Sequence, residues 1–185
     1  MSWTGNFKYA SYEERAKLLL AYLRLRPNPF DKNDSLSKGY KDVLSFIVAS
    51  LVVRSDYRYI SEGTKEQLKD TPNPNYNYIY KKKAHSEYEN LTSEHTIPVS
   101  VIVDYLLDKN NDSWTEERLA DFLEKVSGIA VVTDDENKRL DDADLRSKLP
   151  DGTTLDDIVN GKAEHTIRYK VAGVSVTETN DGVEA

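Results

Sequence analysis

Three histidines occur among the 185 residues, at positions 85, 95 and 165, and one of them has neighbours suited to chemistry. Glu94 directly precedes His95, so a carboxylate able to bind a cation adjoins a ring whose charge changes near neutral pH. Ile97-Pro98 follows and would fix the chain as it leaves a strand. A plainer reading stands beside this one. Glu94-His95 could be an ordinary surface pair before a helix whose first turn holds Pro98, because a lone histidine is more often packed or solvated than catalytic.

The elements that would position this pair follow from caps and periodicity. Ser11-Tyr-Glu-Glu14 has capping-box spacing and opens a helix predicted over Tyr12 to Arg26, stopped by Pro27 and Pro29. A second, more apolar helix is expected from about Ser37 to Arg54. From Ser55 to Lys83 the chain is polar and tyrosine-rich, with turn signals at Pro72 and Pro74; only Tyr76, Tyr78 and Tyr80 alternate in a way that suits a short strand. Further on, strands are expected at Tyr88 to Thr92 and Ile129 to Val132. Helices are expected from Val99 to Leu107, from Thr115 to Val126 behind a Ser113-Trp-Thr-Glu116 box, and directly after Thr133-Asp-Asp-Glu136. Thr154 to Val159 reads as a short helix and His165 to Val176 as a strand or strand pair, with the tail after Thr177 frayed. Ser93-Glu-His-Thr-Ile97 is echoed by Ala163-Glu-His-Thr-Ile167, without the fixed period of a repeat protein.

Glu94-His95-Thr96-Ile97-Pro98, together with Ile129-Ala-Val-Val-Thr133 and Asp134-Asp-Glu-Asn137-Lys138, resembles the HNH, or His-Me finger, nuclease family. The resemblance runs from about Tyr88 to Leu140, and the family's middle Asn falls near Ser127-Gly128. It implies an α+β fold, a mostly helical domain with a small ββα-metal-like unit in its second half. Residues 1–83 would form an N-terminal helical and Tyr/Lys-rich region. Residues 84–185 would form the HNH-like region with a C-terminal strand segment, the two sharing one compact domain. Carried over to this chain, the resemblance makes His95 the general base, Glu94 and Asn137 the protein ligands, and Mg²⁺ or Mn²⁺ the metal. The implied activity is phosphodiester hydrolysis in nucleic acid, DNA ahead of RNA, in phage defence, restriction or nucleic-acid processing.

A nucleic-acid surface would then combine Tyr76, Tyr78 and Tyr80 with Lys81, Lys82 and Lys83, and with Arg168, Lys170 and Arg139; Arg146 and Lys148 are near in sequence. Charge argues the other way. Lys and Arg total 25 against 32 Asp and Glu, a formal charge of −7 with pI near 5.1. Affinity for phosphate comes chiefly from basic surface. The alternative is therefore a non-catalytic acidic protein-interaction module or inhibitor that uses an HNH-like scaffold. Asp134, Asp135, Glu136, Asp141, Asp142 and Asp144 read as a solvated acidic face, without the spacing of a calcium loop. The absence of cysteine fits a reducing compartment, and the N-terminus lacks the pattern of a signal peptide. The longest apolar stretch, Val43 to Val53, falls short of the roughly 20 residues of a spanning helix. A cytoplasmic protein with no membrane segment is expected. Neither a P-loop, a Gly-x-Ser-x-Gly elbow nor paired zinc-spaced histidines are present.

Overall fold

The computed structural model describes residues 10–27, 30–31, 33–52, 58–72, 74, 88–109 and 113–179. Helix α1, Tyr12–Leu23, begins at the expected capping box: Ser11 Oγ accepts from Glu14 N–H at 3.3 Å, and Glu14 Oε2 accepts from Ser11 N–H at 2.8 Å. Helix α2, Ser35–Leu51, is capped by Asp34, which accepts from Ser37 N–H. Strand β1, Arg58–Ser61, and helix α3, Glu62–Gln67, follow, with Ser61 capping α3. Then come β2, Leu91–His95, and α4, Val99–Asp108. Helix α5, Glu116–Val126, leads to β3, Ile129–Thr133, and α6, Asp134–Asp142. The described chain closes with α7, Leu155–Val159, α8, Ile167–Val171, and β4, Val176–Thr179.

The architecture is α+β, mostly helix with one four-stranded mixed sheet in the order β2-β3-β1-β4. β2 and β3 pair antiparallel, Leu91 opposite Thr133 through His95 opposite Ile129, and α6 contacts both strands. The expected strand pair is thus present, with β2 displaced from Tyr88–Thr92 to Leu91–His95. β1 runs parallel to β3 and antiparallel to β4. An inner strand therefore comes from the polar segment in which the sequence suggested a strand only around Tyr76 to Tyr80, and a boundary at position 83 would cut through one sheet.

Two further expectations are corrected. Ser113 does not cap α5; Thr115 does, accepting from Arg118 N–H at 3.2 Å. The span His165 to Val176 is not a strand pair but α8 followed by the approach to β4. Gly173 closes α8 in the left-handed region at φ 69, where a residue with a Cβ is strained, and Val174 N–H reaches back to Tyr169 O at 2.8 Å.

The main core is helical. Leu19, Leu23, Leu44, Val48, Ile102, Leu106, Leu119 and Leu123 interlock between α1, α2, α4 and α5. Ala130, Val132, Leu140, Leu145, Tyr169 and Val174 fill one face of the sheet beneath α6 and α8. Leu68, Tyr88, Leu91 and Val131 fill the other. Among the described residues no helix is long and apolar enough to cross a membrane.

Candidate functional site

Successive side chains of a strand leave on opposite faces, and this separates Glu94 from His95. Glu94 is opposite Ala130 and shares its face, beneath α8, where Arg168 Nη2 lies 3.8 Å from Glu94 Oε2. His95 projects to the other face, toward α2, where its Nε2–H meets Ala49 O at 3.1 Å. That bond assigns the proton to Nε2 and leaves the lone pair on Nδ1. Burial raises the Glu94 carboxyl above the usual carboxylate range, reinforced by Asp141 and opposed by Arg168 and Arg146. Burial also lowers the His95 ring below its ordinary value; the Arg168 charge adds to this, and the Ala49 carbonyl opposes it.

Arg168 was expected on a phosphate-binding surface, but its guanidinium lies inside, 1% exposed. Nε donates to Thr96 O at 3.0 Å, and Nη1 donates to Leu145 O at 3.0 Å and Arg146 O at 3.4 Å. Nη2 donates to His95 O and to Tyr169 Oη. The echoed segments thus meet in space: the residue just after Thr166-Ile167 holds the carbonyls of His95 and Thr96.

Of the remaining candidates, Arg146 lies near enough to Glu94 for its charge to act on the carboxyl. Asn137 lies on α6, partly buried, with Oδ1 enclosed and without a hydrogen-bond donor among the described residues. Arg139 donates to Gly173 O at 3.3 Å at the surface, Arg146 pairs with Asp141 at 3.2 Å, and Lys148 pairs with Asp144. Tyr76, Tyr78, Tyr80, Lys81, Lys82, Lys83 and His85 lie outside the described residues. The acidic face on α6 is exposed as expected except for Glu136, which is buried and accepts from Ser61 Oγ at 2.5 Å, Gly63 N at 3.2 Å and Thr133 N at 2.9 Å. Its capping-box position was visible in the sequence; its link to β1, 75 positions away, was not.

The chain matches no protein-family model, no curated protein and no solved structure.

A metal of the HNH type needs its oxygen ligands and its histidine base around one position. His95 stands on the face opposite Glu94, and a dication at Glu94 would sit against the buried Arg168 guanidinium. Among the described residues no group of three or more His, Asp or Glu side chains is placed to hold a metal ion. Glu94 and His95 therefore do not face one shared position.

The half-buried rings of His95 and His165 make stability depend on pH. His95 and His165 both have pKa values lowered by burial, so as pH falls through about 6.5 the unfolded chain takes up protons before the folded one. Their contribution is complete above that pH and is lost below it. Glu94, with a raised pKa, acts oppositely, because the folded state binds its proton first on acidification. His95→Gln keeps an N–H donor for Ala49 O but does not titrate. Denaturant midpoints between pH 7.5 and 5 should fall less steeply for His95→Gln than for the parent, the difference staying below about 1.4 kcal/mol per pH unit. Equal slopes would mean that His95 titrates normally in the fold.

Proposed function

We propose that this chain is a non-catalytic protein-interaction module, and that it works through the outer face of α2. One observation carries the reading. Leu36, Val43 and Phe46 lie along one side of α2 and are 68%, 48% and 60% exposed, while Tyr40, Leu44, Val48 and Leu51 bury the other side. On α1 and the turn after it, Leu18, Tyr22 and Leu25 recur at helical spacing. Tyr22 stacks on Tyr40 of α2 at 4.9 Å, and Leu18 and Leu25 are 39% and 70% exposed. Large apolar side chains grouped on one exposed helix face are costly to leave in water, and such patches mark protein contacts. The net charge of −7 also suits a protein partner better than a polyphosphate backbone.

A second reading, the metal-dependent HNH-type endonuclease using Mg²⁺ or Mn²⁺, is favoured by one feature. The Ala49 carbonyl pins His95 Nε2–H, and the lowered pKa keeps the ring neutral at pH 7 with Nδ1 as its basic atom. A general base needs that state. Metal-dependent cleavage that requires His95 decides between the two readings, and the interaction module is expected to show none.

A further inference from the structure

We propose that the partner of the α2 face is a second copy of this chain, the two α2 helices packing antiparallel about a two-fold axis; this rests on the interaction reading above and names its partner. The apolar stripe is Leu36, Val43 and Phe46, spaced at seven and ten residues along α2, with Gly39 between the first two. No heavy atom would lie within 4 Å of a Cβ at Gly39, so the middle of the stripe has room for another helix to approach closely.

Charge selects the occupant. Lys38 and Asp42 are exposed, one turn apart on the same flank of the stripe, and neither is in an ion pair among the described residues. A uniformly basic partner would confront Lys38 with like charge, and a uniformly acidic one would confront Asp42. A two-fold axis perpendicular to antiparallel helices brings the same flank of both copies together and reverses their direction. Lys38 of each copy then meets Asp42 of the other. The register agrees with the apolar contacts: Lys38 and Asp42 are centred on position 40, and Leu36 and Phe46 on position 41. The difference is one residue, about 1.5 Å along the axis. An isologous pairing of this kind is self-complementary and closed.

Sedimentation equilibrium of the full chain, from about 1 to 200 μM in ~0.15 M salt, tests the proposal. The parent should form a dimer as concentration rises. Phe46→Lys should remain monomeric with an unchanged circular dichroism spectrum, since the ring it replaces is largely outside the core. Lys38→Asp and Asp42→Lys each set like charges opposite one another in two symmetric places and should weaken the dimer about tenfold. The double variant Lys38→Asp with Asp42→Lys should regain most of that loss. A parent monomeric throughout, a dimer indifferent to Phe46→Lys, or a double variant no tighter than the singles would overturn self-pairing. A monomer without His95-dependent cleavage removes the second copy as partner and leaves the interaction reading in place. His95-dependent cleavage removes that reading whatever the oligomeric state.

Discussion

Arg168→Met should destabilise the folded chain by about 3–5 kcal/mol, the cost of opening a buried charged network from one side. In a domain of this size that lowers the melting temperature by about 6–20 °C. The guanidinium is fully inside, and its fork ties β2 and the turn after it, through His95 O and Thr96 O, to the segment after α6, through Leu145 O and Arg146 O. Methionine fills comparable volume but leaves those carbonyls without donors and removes the cation beside Glu94. Glu94 can respond by taking a proton, since burial already raises its pKa, so the lost carbonyl bonds should dominate. Arg168→Lys should recover less than half of the loss, because an ammonium cannot reproduce a planar fork. Thermal unfolding of the three proteins measures this. A loss under about 1 kcal/mol in Arg168→Met would mean that the network is not a principal tie.

Glu136→Ala is expected to cost about 2–4 kcal/mol, the second largest effect. The carboxylate closes the capping box of α6 and also accepts from Ser61 Oγ and Gly63 N–H, joining β1 and α3 to the helix after β3. An exposed capping Glu would contribute only through its own helix. This one also leaves buried donors unpaired when removed. Gly63 is part of the same fit: a Cβ there would lie 2.7 Å from Glu136 Oε1. Urea unfolding of Glu136→Ala beside Asp135→Ala separates the roles, because Asp135 is an exposed first-turn acid. Equal losses in the two variants would reduce Glu136 to a local cap.

What the sequence made legible was local. The Ser11/Glu14 and Thr133/Glu136 boxes fixed two helix starts because all their partners lie within three residues. Strand β1 escaped because Arg58-Tyr-Ile-Ser has one buried apolar side chain, Ile60, and becomes a strand through pairing with β3 and β4 far along the chain. Ile167, Tyr169 and Val171 alternate as they would in a strand, whereas the structure makes this segment helix α8 and spends it on burying Arg168 and Tyr169. The same distinction governs the site. Glu94-His95 is conspicuous as a dipeptide, but the role of each residue depends on Arg168 and Ala49, 74 and 46 positions away. A charged residue such as Arg168 reads as surface until its partners are known.

On the proposed reading, Glu94, His95 and Arg168 hold the fold together and the outer face of α2 makes the functional contact. The most direct test incubates the purified parent and His95→Ala with supercoiled plasmid, single-stranded DNA and RNA in Mg²⁺ or Mn²⁺, with EDTA controls. The parent should show no metal-dependent cleavage above the level of His95→Ala. A general base contributes about 10²- to 10⁴-fold. Cleavage by the parent that falls by that factor in His95→Ala, while the variant remains folded, would contradict that reading.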